Sequence, residues 1–138
     1  MAGYLIDTTV MSAAALAWTD ARPAQLWLSA VTVAEIEDGI AKLRRDGAGR
    51  ECEELTAWLE AVLHLYGERI LPFDAATARI AGALSDRARG QGLAPGFADI
   101  ILAATARRHG LVVLTRNLKD FAPLGVTALD PFVTPPPG

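Results

Sequence analysis

Phe97-Ala98-Asp99-Ile100-Ile101-Leu102-Ala103-Ala104-Thr105-Ala106-Arg107-Arg108-His109-Gly110-Leu111-Val112-Val113-Leu114 decides the fold. Phe97 to His109 is helical and stops at Gly110, because a residue without Cβ enters the left-handed conformation that closes a helix. Leu111 to Leu114 is then apolar without alternation, the pattern of a strand covered on both faces. A helix delivered through one glycine into such a strand is half of a parallel α/β unit.

Working backwards, the same alternation recurs. Gly90 to Gly96 is a loop containing Gly and Pro. Asp74 is the natural N-cap of a helix running to about Arg89. Ile70 to Phe73 is a short, edge-like strand, since Pro72 has no N–H for a ladder. Arg50 to Tyr66 is an amphipathic helix, with Leu55, Trp58, Leu59, Val62, Leu63 and Tyr66 at helical spacing. Asp46 to Gly49 breaks it from a helix over Thr32 to Arg44, and the two form a helical hairpin. Leu26 to Ala30 is a second strand, Asp20 to Pro23 a turn, Thr9 to Trp18 an Ala-rich helix, and Gly3 to Ile6 the first strand. Forwards, Gly125 to Leu129 is a candidate last strand, and Pro131 to Gly138 is a Pro-rich tail expected to be disordered. The fold class is α/β with a mostly parallel central sheet, one domain over residues 1–130.

The bulk properties agree. A chain of 138 residues that is 51% apolar and 21% charged suits one globular domain. No apolar run reaches the ~20 residues of a membrane helix, and the N-terminus lacks a secretory signal pattern. Cys52 is alone, which fits the cytoplasm expected for this protein. The net charge of −3 argues against a broad nucleic-acid coat but leaves room for a local basic rim. Arg107, Arg108, Arg116 and Lys119 are the candidates for that rim, with Arg87 and Arg89 a second group. Solvated helix ends explain these cations equally well.

Four acids stand where an open sheet exposes side chains, at or beyond the carboxyl ends of its strands. Asp7 closes Tyr4-Leu5-Ile6, Glu35 follows the second strand, Asp99 opens an apolar helix, and Asp120 follows the turn Thr115-Arg116-Asn117. Each has a local alternative. Asp7 could cap the next helix, Glu35 completes a capping box with Thr32, Asp99 complements a helix dipole, and Asp120 could end a turn. Together they make sense around a hard divalent cation with oxygen ligands, which points to phosphodiester chemistry. Thr115 and Asn117 add polar atoms that can orient carboxylates or a metal-bound water. His64 and His109 lack metal-ligand spacing, and Trp18, Trp27 and Trp58 read as packing residues.

In the order Tyr4-Leu5-Ile6-Asp7-Thr8-Thr9-Val10-Met11-Ser12, Val31-Thr32-Val33-Ala34-Glu35-Ile36 with Gly39-Ile40, Ile70-Leu71-Pro72-Phe73-Asp74, Phe97 to Ala106, and Thr115-Arg116-Asn117-Leu118-Lys119-Asp120-Phe121, the chain resembles the PIN-domain ribonucleases. It is most similar to the VapC and FitB toxins of bacterial toxin–antitoxin pairs. The resemblance implies a three-layer α/β/α sandwich and an endoribonuclease dependent on Mg²⁺ or Mn²⁺. It assigns Asp7, Glu35, Asp99 and Asp120 to the catalytic metal site, with Asp7 and Asp99 the most direct ligands. It also implies a cognate antitoxin that covers the site, often inserting an Arg, and a homodimer. Arg116, Lys119 and Arg107 would meet RNA. Thr9 stands where the family usually has Asn, and Ala13 where this subgroup often has an acid. The rivals are a phosphatase using Asp7 as nucleophile, for which Thr9 replaces the second Asp of that signature, and a degenerate PIN fold that binds RNA or a partner without cutting.

Overall fold

The computed structural model describes residues 3–11 and 23–133. Gly3–Ile6 (β1), Leu26–Ser29 (β2), Ile70–Leu71 (β3), Leu111–Leu114 (β4) and Ala128–Leu129 (β5) form one sheet in the order β3-β2-β1-β4-β5. Every pairing is parallel, with Tyr4 opposite both Leu26 and Val112 and Leu114 opposite Ile6 and Leu129. The chain builds outward from β1 to β3 on one side, then returns to lay β4 on its other side. The reversal falls between β1 and β4, the place where an open parallel sheet leaves a crevice at its carboxyl ends.

Alternation along the strands separates two cores. Leu5 and Val113 face one side and pack with Ala81, Leu84, Ala88, Ile100, Ala103 and Phe121. Tyr4, Ile6, Leu26, Leu28 and Leu114 face the other, with Val10 and Val62. The first side is covered by the helices Ala75–Gly90 and Phe97–His109, which pack on each other, the second also on β4. The second side receives the carboxyl half of the helix Gly49–Tyr66 through Val62. With α1 as Ala30–Arg45, α2 as Gly49–Tyr66, α3 as Ala75–Gly90, α4 as Phe97–His109 and α5 as Leu118–Phe121, the described residues form helix, sheet and helix layers. The expected hairpin is α1 and α2, joined by Ile36, Ile40, Cys52 and Leu59.

Several expected boundaries move. The helix read from Thr32 starts two residues earlier, at Ala30, because Ser29 caps it: Ser29 Oγ accepts the Val31 N–H at 3.1 Å. The capping box of Thr32 and Glu35 therefore does not form. Thr32 lies inside the first turn, fully buried, and its hydroxyl has no hydrogen-bond partner among the described residues. Leu26 to Ala30 shortens to Leu26–Ser29, the Ile70 strand stops before Pro72, and the last strand is Ala128–Leu129 rather than Gly125 to Leu129. Trp58, read as a packing residue, is 36% exposed, while Trp27 packs against the core. Thr8–Val10 is a 3-10 turn, and the rest of the Ala-rich helix, from Ser12, lies outside the described residues with Ala13 and Trp18.

Asp74 caps α3 as expected, accepting the Thr77 N–H at 3.0 Å. Gly110 closes α4 with φ +67°, a backbone angle that L side chains strain to adopt. Pro131 to Val133, read as part of the tail, form a turn held by Asp130, which accepts the Phe132 N–H at 2.9 Å. The remaining tail lies outside the described residues. No helix among them is long and apolar enough to cross a membrane.

Candidate active site

β1 ends in Asp7, whose N–H continues the ladder by donating to Leu114 O at 2.9 Å. Its side chain is buried, 5% exposed, and a buried carboxylate requires donors. Three hydroxyls supply them. Thr9 Oγ1 and Thr115 Oγ1 each lie 2.9 Å from Asp7 Oδ2, and Thr8 Oγ1 lies 3.4 Å from Oδ1. Thr115 is fully buried just past β4, and accepts the Asn117 N–H at 3.0 Å, so its own hydroxyl proton is directed to Asp7. Thr9 Oγ1 likewise accepts the Arg116 N–H at 3.1 Å. At position 9 the hydroxyl thus donates and accepts at once, supplying both functions of the amide that the family usually carries there.

The other acids approach from three helices. Asp99 is in the first turn of α4, Glu35 on the second turn of α1, and Asp120 in α5, after the turn that leaves β4. Asp99 and Asp120 are half-buried and Glu35 is more exposed. Burial raises the Asp99 carboxyl, the charges of Asp7 and Asp120 raise it further, and it reaches about 6. Glu35 is raised by partial burial, then by Asp7 and Asp99. The four expected acids therefore share one electrostatic neighbourhood, in which each added negative charge disfavours the next.

Among the described residues, no three carboxylate, imidazole or thiol side chains converge tightly enough to enclose an ion as they stand. The donor chemistry is nevertheless all oxygen, from carboxylates and hydroxyls, which matches hard divalent cations rather than softer metals. The mutual repulsion of Asp7, Asp99, Glu35 and Asp120 also favours bound positive charge.

The cations divide. Arg116 follows Thr115 directly, and its guanidinium stacks 4.5 Å from the centroid of the Phe132 ring. Lys119 is exposed on α5, one residue before Asp120. Arg107 is at the other end of α4 from Asp99, about 12 Å along the helix axis, and donates to Gly125 O at 3.2 Å. Arg108, also at that end, bridges Asp74 and holds that carboxyl down at about 2. Proximity to Asp99 in sequence does not bring these two arginines to the carboxylates, because a helix carries its last turn to the opposite edge of the sheet. Asn117 contributes its backbone N–H to Thr115, and its side chain is exposed. The sequence reading missed Thr8 and Phe132. The signal for Phe132 was Asp130 two residues before it, the spacing of an Asx turn.

A parallel sheet with its crevice between β1 and β4, and a buried carboxylate there held by hydroxyls, define a class of open α/β proteins with an acidic crevice at the carboxyl ends of their strands. The chain belongs to the PIN domain family, whose model matches residues 3–124. It is 36% identical over 138 residues to the VapC ribonuclease Y4jK of Sinorhizobium fredii, covering 93% of this chain and 96% of that protein. It is 35% identical over 138 residues to toxin FitB of Neisseria gonorrhoeae, covering 93% and 97%. The crystal structure of FitAcB from Neisseria gonorrhoeae superposes with a TM-score of 0.84 at 33% identity, covering 95% of this chain and 99% of that one.

Proposed function

We propose that this protein is a metal-dependent endoribonuclease, the toxin of a type II toxin–antitoxin pair. The observation that carries the reading is the clasped Asp7: a buried carboxylate held by Thr9 and Thr115, with Asp99 raised by burial and then by the charges of Asp7 and Asp120. A structural carboxylate buried this deeply is ordinarily matched by a cation, and here its neighbours are further acids. The names of the VapC and FitB relatives supply the substrate class, RNA, and the role of toxin.

Asp7, Asp99, Glu35 and Asp120 would hold Mg²⁺ or Mn²⁺, which when bound supplies a water of lowered pKa and neutralises charge on the leaving oxygen. The chain's own groups do the rest. Thr9 and Thr115 fix the rotamer of Asp7 so that its free lone pairs face the crevice in one orientation. Arg116 and Lys119 offer positive charge to the RNA backbone at the rim. The cognate antitoxin would cover this acidic crevice, and a basic side chain such as Arg is the group that the crevice would accept. A homodimer is part of the same reading. The hydroxyl of Thr9 carries both a donated and an accepted hydrogen bond, which favours catalysis over a degenerate binding module.

Cleavage of total cellular RNA by antitoxin-free protein in Mg²⁺, Mn²⁺ or EDTA, beside Asp7→Ala, tests this reading. Cutting that needs metal and vanishes in the variant is expected. Metal-independent cutting, or full activity in Asp7→Ala, overturns it.

A further inference from the structure

Arg116 directly follows Thr115, whose hydroxyl holds Asp7, and among the described residues it pairs with no acid. Its backbone N–H is fixed by Thr9 Oγ1, which in turn holds Asp7, so its main chain is two hydrogen bonds from the central carboxylate. Yet the ion pairs among the described residues are Arg50 with Glu54 and Arg108 with Asp74, and the Arg116 guanidinium donates no hydrogen bond among them. It lies instead over Phe132, at 4.5 Å from the ring centroid. That ring is set in place by the chain itself. β5 runs beside β4, the buried Asp130 ends it, and Asp130 Oδ1 and O take the N–H groups of Phe132 and Val133 at 2.9 and 3.1 Å. Arg116 and Phe132 thus leave the carboxyl ends of adjacent strands and meet beyond them. Phe132 keeps 37% of its surface exposed, so the ring and the guanidinium over it both reach solvent.

A guanidinium resting on an aromatic face loses water from that face but keeps its N–H edges, the ones that grip phosphate oxygens two at a time. Without the ring, the long arginine side chain would sample many rotamers instead of one fixed position at the crevice rim. We propose that Phe132 is a positioning residue that holds the Arg116 guanidinium in place as a clamp for an RNA backbone phosphate beside the catalytic crevice. This rests on the ribonuclease reading.

The test is binding of a short, fluorescein-labelled single-stranded RNA of random sequence to the full chain carrying Asp99→Asn, measured by anisotropy over a salt series. Arg116→Ala should weaken binding about tenfold and reduce the slope against log salt by about 1. Phe132→Ala should weaken it about two- to fivefold, the size of one cation–π contact. Because Phe132 acts through Arg116, the double variant should bind no worse than Arg116→Ala alone. Phe132→Trp should restore binding, whereas Phe132→Leu, which packs without a π face, should not. Thermal melts accompany each variant, and if Phe132→Ala does not fold, Phe132→Leu carries the comparison. Unchanged binding in Arg116→Ala or Phe132→Ala, additive losses, or full restoration by Leu overturns the clamp alone. A folded Asp99→Asn chain that binds no RNA overturns the clamp together with the ribonuclease reading.

Discussion

Thr9 and Thr115, 106 residues apart, place their hydroxyls on the same oxygen of Asp7, each at 2.9 Å, and lie 3.4 Å from one another. Neither hydroxyl is redundant. Thr9 accepts from Arg116 and Thr115 from Asn117, so each is already oriented before it meets the carboxylate. The pair also ties the end of β1 to the exit of β4, which makes Asp7 a joint of the sheet as well as part of the candidate site.

Thr115→Val keeps the side-chain volume but removes one donor from a buried carboxylate. Loss of stability of about 1–3 kcal/mol is expected, together with at least a tenfold drop in RNA cleavage as Asp7 loses its fixed orientation. Thr115→Ser should retain most of both. Denaturant melts and initial cleavage rates check this, and a Val variant as active as the parent would remove Thr115 from the site.

Asp99→Asn separates charge from structure. The folded carboxyl titrates at about 6, above its ordinary 3.8. Between these values the folded protein binds more protons than the unfolded chain, so stability falls as pH rises through about 4 to 6 and stays low above that window. Without metal, Asp99→Asn should lack this decline and be more stable at neutral pH by about 1 kcal/mol after solvent screening, while cleaving no RNA. Glu35, raised in the same direction, leaves a smaller residual slope. Melting temperature against pH in EDTA is the measurement, and a strongly destabilised Asn variant would make Asp99 structural.

Ser29 and Thr32 give opposite expectations at the start of α1. Ser29→Ala removes the cap and should cost about 1 kcal/mol. Thr32→Val replaces a buried hydroxyl, unpartnered among the described residues, by a methyl group and should stabilise by about 1 kcal/mol. If Thr32 were the cap, the two effects would exchange, which thermal denaturation of both variants would reveal.

What could be read from the sequence was local. Gly110 after an apolar helix and Asp74 before another are signals confined to a few residues, and each acts as it reads, whereas Pro72, read inside an edge strand, lies just past its end. Ser29 and Thr32 are equally good capping residues three apart. Only the burial of Thr32 against the rest of the fold selects Ser29. The acids were legible because each follows a recognisable strand or opens a helix. Their supports were harder. Thr115 could be suspected, but its bond to Asp7 depends on β4 lying next to β1, which no local pattern states. Arg107 and Arg116 look equally close to the acids along the chain, and only the length of α4 sends one of them to the far edge. The stacking of Arg116 on Phe132 joins residues that follow two strands whose adjacency is itself a tertiary fact.

The central position of β1, with β4 as its late-arriving neighbour, has a bearing on the ribosome that makes this chain. Asp7 is translated before its companions: Thr115 lies 108 residues further on, Asp99 precedes Thr115 and Asp120 follows it. A growing chain therefore carries the first carboxylate without its clasp and without most of its companions. For a nuclease this ordering separates synthesis from activity: the clasp on Asp7 closes only after the segment carrying Thr115 has been made.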